Sequence, residues 1–288
     1  MYAITAVTGQ VGGVVARTLL ADGKEVRAIV RNAEKGKAWA AQGCEVALAE
    51  MDDTVALQKA FTGAEAVFIL LPPTFDPSPD FAEARRTIAS IRNALEAARP
   101  ARVVCLSTIG ANATQPNLLN QLGMLEKELR TLPMPVTFLR PGWFMENAAW
   151  DVASARETGV IHTFLQPLDK PVPMVATADV GRVAAELLQQ AGEGVRIVDL
   201  EGPWRVTPKE IGATFSKLLG KPVRMEIVPR ETWQGLFESQ GMENPMPRIQ
   251  MIDGFNEGWI EFESGQAGSR KGTTTLATVY QNLIQKGY

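Results

Sequence analysis

The sequence predicts an α/β fold, a doubly wound parallel sheet with a smaller C-terminal α+β lobe. Three observations carry this. Strand and helix patterns alternate from the first residue. The strands are short and nearly all apolar, as parallel strands covered on both faces are. After about residue 140 the alternation gives way to a less regular stretch with helices of its own.

The elements follow in order. Tyr2–Val7 is an apolar run with β-branched members. Gln10–Ala21 has helical spacing (Val11, Val14, Val15, Leu19), and Gly23 stops it. Glu25–Val30 is a second strand, Ala33–Gln42 a helix ended by Gly43, and Glu45–Ala49 a third strand. Thr54–Thr62 is a helix, capped by Asp53 or Thr54 and ended by Gly63. Ala66–Leu71 is a fourth strand, Phe81–Ala98 a long helix, Arg102–Leu106 a fifth strand, and Val136–Leu139 a sixth. Asn120–Arg130 is a helix between the last two. Asp179–Gln190 is helical, and Ile197–Leu200 adds a strand to the same sheet. Between them Trp143–Met174 is rich in aromatics and prolines. Pro208–Leu219 is a helix, Val223–Val228 a strand, Arg230–Gln240 a helix, and Thr275–Lys286 a C-terminal helix. The expected organisation is a sheet domain over 1–150, completed by about 175–202, with 151–174 and 203–288 as a smaller lobe that covers a substrate.

Composition narrows the function. With 29 Lys and Arg against 32 Asp and Glu, the net charge of -3 gives no basic surface for nucleic acid or anionic membrane. Two cysteines, Cys44 and Cys105, make no disulfide framework, and Cys105 reads as a buried small hydrophobe. No leader or membrane-spanning run is seen, so a reducing, cytoplasmic location is expected. With His162 the only histidine, histidine-based triads and metal sites have little support, and no metal is expected. His162 reads as an ordinary loop or strand residue. Glu126 and Glu128 read as facing solvent or a helix neighbour, and Asp179 as a helix cap.

In doubly wound sheets ligands sit at the carboxyl ends of the strands. That lines up Gly9–Gly13, Arg31, Asp52, Pro72–Phe75 and Ser107–Ile109 along one edge. The first turn, Thr8, Gly9, Gln10, Val11 and Gly12, joins a strand to a helix whose first N–H groups are unpaired. Glycines there let a diphosphate approach the backbone.

The segment VTGQVGG, with Ala6, Gly9 and Gly12, resembles the T-G-x-x-G-x-x-G turn of short-chain dehydrogenases/reductases, and specifically their atypical NmrA-like members. IVRN, MDDTVALQKAF, LRPGWFMEN (Leu139–Asn147) and ATADVGRVAAELL (Ala176–Leu188) extend the resemblance through most of the chain. Ala6 departs from it, standing where the family has its first glycine, and no loss of binding is expected. The resemblance implies an NAD(P)-binding Rossmann sheet. Arg31, with Lys35 close behind, favours NADP(H) over NAD(H), because a guanidinium can hold a 2'-phosphate and no acid stands there. Asp52 resembles the family's acid near the adenine, or caps a helix. Asp53, Leu71 and Pro72 complete the expected cofactor contacts.

One part of the family's chemistry is missing. Most short-chain dehydrogenases use a Tyr-x-x-x-Lys pair after the fifth strand. The three tyrosines here are Tyr2, Tyr280 and Tyr288, and Leu122 stands where some relatives have lysine or histidine. Two readings remain. One is a reductase of quinone-like or conjugated acceptors that need no enzyme acid. Its slot would be made by Pro73, Phe75, Trp143, Phe144, Asn147 and Trp150, with Ser107 and Thr108 as polar handles. The other is a non-catalytic NADP(H)-sensing regulator. A small-molecule acceptor is the expected partner in the first case and a regulatory protein in the second; a homodimer stays open in both. Replacing Gly9 or Gly12 by valine is expected to abolish cofactor binding with the fold retained.

Overall fold

A computed structural model describes residues 1–287. The alternating half consists of β1 (Tyr2–Ile4), α1 (Gln10–Ala21), β2 (Val26–Val30), α2 (Ala33–Ala40), β3 (Glu45–Leu48), α3 (Thr54–Phe61), β4 (Ala66–Leu70), α4 (Ala82–Ala98), β5 (Arg102–Leu106), α5 (Asn120–Leu129) and β6 (Val136–Pro141). Then come β7 (Trp143–Phe144), a 3-10 segment Met145–Asp151, α6 (Val152–Glu157), β8 (Val160–Thr163), β9 (Met174–Val175), α7 (Thr177–Gln189) and β10 (Val195–Glu201). The remainder is α8 (Pro208–Leu219), β11 (Arg224–Ile227), α9 (Trp233–Ser239), α10 (Met246–Glu257), α11 (Gly265–Gly268), β12 (Arg270–Lys271) and α12 (Leu276–Lys286).

Eight strands form one sheet in the order β12-β10-β6-β5-β4-β1-β2-β3, every pairing parallel. This is the predicted doubly wound sheet. Alternation along each strand sends residues to two separate cores. On β5, Val104 and Leu106 join Val11, Val15, Leu19 of α1 and Val180, Ala184, Leu188 of α7. Val103 and Cys105 join Leu57 and Phe61 of α3, Ile88 and Ile91 of α4, and Leu125 and Leu129 of α5. Each fully buried Val, Leu, Ile or Phe among them contributes about 1.5–3 kcal/mol. A third core lies in the lobe, where Phe215 of α8 stacks on Tyr280 of α12 with centroids 4.6 Å apart.

The first strand ends earlier than its apolar run. Beyond Ile4 the buried Thr5 hydroxyl donates to the Phe68 carbonyl (3.0 Å) and accepts from the Leu70 amide (3.0 Å), so a side chain takes over the β1–β4 ladder. Ala6 then adopts a left-handed conformation, φ 53°. Left-handed backbone costs an L-residue roughly 1–2 kcal/mol, which is the physical reason a glycine serves well at that position. The order reverses at β1, between β4 and β2, and the crevice outside those strand ends is the switch point.

Sequence patterning missed several elements: α6, β8, α10 and the edge strand β12. Asp53 does cap α3, accepting from the Ala56 amide. Asp179, expected as a cap, has another role. The start of α7 has no cap from its own N-cap residue. Asp179 instead accepts the amides of Thr273 (3.1 Å) and Thr274 (2.8 Å), tying the chain after β12 to the sheet domain.

The glycines of the first turn differ in what they allow. A Cβ built on Gly12 lies 2.3 Å from the Ala6 carbonyl oxygen and 2.7 Å from that of Thr5, both backbone atoms. On Gly9 the nearest atom is the Ala6 oxygen, at 3.3 Å. Gly12 is therefore a packing requirement of the β1–α1 turn. The expectation that Gly12→Val keeps the fold is corrected. Even Gly12→Ala should destabilise the protein by about 3 kcal/mol or more, whereas Gly9→Ala should cost under about 1 kcal/mol. Urea unfolding of the two variants checks this; equal stabilities would contradict the packing account.

Candidate functional site

The site is built along the carboxyl edge of β1, β2, β4, β5 and β6. At β1, Thr8, Gly9 and Gln10 are exposed and Val11 and Gly12 buried. Gly9 is the N-cap of α1 and supplies no side chain, and no acid stands in the first turn. By contrast, Asn32, Asp53, Thr207 and Thr275 cap their helices through side-chain oxygens. The start of α1 is left with free N–H donors and an uncompensated positive dipole end.

At β2, Arg31 is exposed, and its nearest acid is Glu50 at 4.0 Å. Lys35 is also exposed, on α2. Asp52 is exposed, 3.7 Å from Arg86. At β4, Leu71 is buried, while Pro72, Pro73 and Phe75 are exposed. The loop they begin is held from two sides. Gln121 of α5 donates to the Thr74 carbonyl (3.1 Å), and Asp76 accepts the amides of Glu243 (2.8 Å) and Asn244 (2.7 Å).

The aromatics after β6 do not act as one group. Trp143 and Phe144 lie on opposite faces of β7. Trp143 meets Phe255 of α10 edge-on, with centroids 5.1 Å apart. Phe144 packs against the sheet core. Asn147 is exposed, and Trp150 is 91% exposed and joins no slot. The neighbour that sequence reasoning missed is Glu146. Its carboxylate accepts the Thr177 amide (3.0 Å) and hydroxyl (2.7 Å), closing the N-terminus of α7, and the Gln10 amide oxygen lies 3.2 Å from the same hydroxyl. Thr177 thus links the segment after β7, through Glu146, and α1, through Gln10. Burial pushes its carboxyl up more than the Thr177 bonds lower it.

At β5, Ser107 is buried and Thr108 half-buried. The Ser107 hydroxyl donates to Glu126 of α5 at 2.6 Å. Glu126 also accepts from Arg140 of β6 at 2.8 and 2.7 Å and from Arg130 at 3.0 Å. It is 3% exposed, so of the two expected readings the solvent-facing one is overturned; Arg130 is the helix neighbour, and Arg140 is a partner from another element. Burial pushes its carboxyl up, but the bonds from Arg140 and Ser107 and the Arg140 charge outweigh burial, and the net direction is down. Arg140 reaches a second acid, Glu263. Leu122 packs against the core. Tyr2 is buried in β1 and Tyr280 in the lobe, where burial and then the charges of Asp151 and Glu146 push its phenol well up. Tyr288 lies outside the described residues. His162 is exposed on β8, 3.9 Å from Glu226.

The sequence pattern of the NmrA-like family matches residues 2–267. The chain belongs to the NmrA-like family. It is 28% identical over 291 residues to quinone oxidoreductase 2 of Escherichia coli, covering 99% of each chain. It is 27% identical to an NAD(P)H azoreductase of Xenophilus azovorans, over 89% of this chain and 85% of that one. Among solved structures, an NADPH-dependent quinone oxidoreductase of Escherichia coli complexed with NADPH superimposes with a TM-score of 0.81 at 27% identity, covering 99% and 100% of the chains. A triphenylmethane reductase of Citrobacter sp. shares the fold, TM-score 0.83 at 24% identity, covering 99% of each chain. Among the described residues, no helix is long and apolar enough to cross a membrane.

The segment after β7 carries a titration of its own. Burial pushes the Asp151 carboxyl up to about 7, and it has no ion pair among the described residues. An unfolded aspartate titrates near 3.9, so the native state binds the proton more tightly. Stability from this group is full below about pH 4, falls as the pH rises toward about 7, and levels off above. Asp151→Asn should therefore flatten the slope over that window and raise stability at pH 8 by about 2 kcal/mol or more. Denaturant unfolding at a series of pH values checks this; a variant less stable than the parent at pH 8 would contradict it.

Proposed function

We propose that the chain is an NADPH-dependent reductase of quinone-like or conjugated small-molecule acceptors. One observation carries the cofactor half of this reading: the uncapped, glycine-faced start of α1 stands at the switch point of the sheet, with an exposed arginine at the end of the next strand. The first turn fits a diphosphate, because Gly9 has no side chain in the way and the helix offers N–H donors. Arg31 fits a 2'-phosphate, since Glu50 at 4.0 Å compensates it only weakly. NADPH, when bound, supplies the hydride.

The chain's own residues would then bind and orient. Thr8–Gly12 would hold the diphosphate, Arg31 and Lys35 the adenosine phosphate, and Asp52 and Asp53 would border the adenine. Leu71, Pro72, Pro73 and Phe75 would form the apolar wall beside the reacting ring, held by the bonds of Gln121 and Asp76. Thr108 and Trp143 would border the acceptor. Leu122 in place of a lysine or histidine, and the remote burial of Tyr2 and Tyr280, favour acceptors whose reduced oxygen or nitrogen takes its proton from water. The quinone and azo relatives support that class. Flat acceptors need positioning more than acid catalysis.

A quinone and azo-dye panel with NADPH tests the activity. Turnover of quinones ahead of simple ketones is expected; NADPH binding without oxidation by any acceptor would overturn the reductase reading and favour a sensor. Arg31→Ala tests the cofactor choice. A charge-assisted contact contributes roughly 1.5–3 kcal/mol, so NADPH affinity should fall about ten- to a hundredfold with NADH little changed. Equal losses for both cofactors would contradict the assignment.

A further inference from the structure

Ser107, Arg140 and Asp199 stand side by side at the carboxyl ends of β5, β6 and β10. The register sets Leu106 beside Leu139 and Arg140 beside Asp199. All three side chains fall on the sheet face opposite Leu106 and Leu139, where α5 lies. Glu126 enters this row from α5 and accepts four hydrogen bonds. Its Oε1 takes Ser107 Oγ (2.6 Å) and Arg140 Nε (2.8 Å). Its Oε2 takes Arg140 Nη2 (2.7 Å) and Arg130 Nη2 (3.0 Å). An ionised carboxylate has about four lone-pair sites, so Glu126 is saturated and carries no proton of its own. The one proton on the Ser107 oxygen is committed to it.

We propose that Glu126 is a positioning residue that fixes Ser107 as an acceptor only. The Ser107 oxygen, at the strand edge where such sheets take ligands, then offers lone pairs and no proton. It selects a ligand group that donates. On the reading that NADP(H) occupies this cleft, that group is the carboxamide N–H of the nicotinamide. The same polarity prevents Ser107 from replacing the missing tyrosine as an acid toward a carbonyl oxygen.

The test uses binding of oxidised NADP and of its 3-acetylpyridine analogue, in which an acetyl group without N–H replaces the carboxamide. No acceptor and no turnover are needed. The native chain should prefer NADP by about tenfold, and Ser107→Ala should reduce that preference to about twofold or less. In Glu126→Gln a single oxygen remains for these donors; placed between Arg140 Nη2 and Arg130 Nη2, it leaves the amide nitrogen facing Ser107, whose O–H is freed toward the cleft, and Arg140 Nε without its acceptor. The preference should then vanish or reverse. Because Glu126 acts through Ser107, the double variant should match Ser107→Ala within about twofold.

Should Glu126→Gln fail to fold, Glu126→Asp keeps the charge opposite Arg140 but withdraws the carboxylate from Ser107. It should lower the preference as Ser107→Ala does. An unchanged preference in Ser107→Ala, or a Glu126 effect that persists without the Ser107 hydroxyl, overturns the proposal. If the native chain binds neither dinucleotide, the cofactor reading falls and takes the proposal with it. If it binds both equally, the proposal alone falls.

Discussion

A guanidinium buried at the end of β6 has to be neutralised, and much of the site side of the sheet is arranged around that requirement. Arg140 is 2% exposed. Leaving such a charge without its acid costs about 3–5 kcal/mol, far more than a surface ion pair contributes. Two acids meet it from separate elements, Glu126 from α5 and Glu263 from the segment before α11. Helix α5 is thereby held in rotation as well as in position. Its other buried polar residue, Gln121, can then reach the Thr74 carbonyl and fix the loop after β4. The charge on β6 thus acts, through one helix, on a loop two strands away.

The outer edge of the sheet repeats this logic. Glu201 of β10 is fully buried and is met by Arg205, Lys271 and Ser269. Asp199 accepts from the Ser264 hydroxyl (2.5 Å), while its second oxygen is buried without a partner among the described residues. The segment from Glu261 to Thr274 is therefore strapped to the sheet by charged and polar bonds more than by apolar burial. The opposite face is fixed by contact distance. Gly181 of α7 lies against Val14 of α1, where a Cβ would come within 2.5 Å of the valine Cβ, and Gly12 lies against the carbonyls of Thr5 and Ala6. These contacts set where the open end of α1 points.

What was legible in the sequence follows from these two kinds of constraint. Strands covered on both faces are apolar at most positions, so AVFIL and the VVCL of β5 announce themselves. Glycine at a backbone contact is equally visible, although Gly12 looked like a ligand residue alone and is also a packing one. Buried charge was not visible. NQLGMLEKELR carries Glu126, Lys127 and Glu128 in succession, and only Glu126 turns inward, because the Arg140 that demands it lies on another element. Likewise, in MEN the sequence reading singled out Asn147 and passed over Glu146. The glutamate is the one that meets Thr177, a partner 31 residues on. Helix α10 escaped because MPRIQMIDGFNE follows Pro245, carries Pro247 in its first turn and shows no clean apolar stripe, although Ile249, Ile252 and Phe255 are buried.

The polar groups of the site divide by what they have left to give. Thr5 spends its hydroxyl on the β1–β4 ladder, Thr177 on Glu146, and Ser107 on Glu126. Each of these hydroxyls is buried near a strand end or helix start, and each has its proton already assigned. The backbone amides of α1 and the guanidinium of Arg31 are differently placed. The first lack a cap and the second has only a distant acid, so both keep their capacity for an anion. Free positive potential is therefore concentrated at the β1 and β2 end of the edge, while the β4 wall of Leu71, Pro72 and Pro73 is apolar. On the proposed function, a ligand matched to this edge would be anionic at one end and flat and apolar at the other, and the committed hydroxyls between them would orient it rather than move a proton.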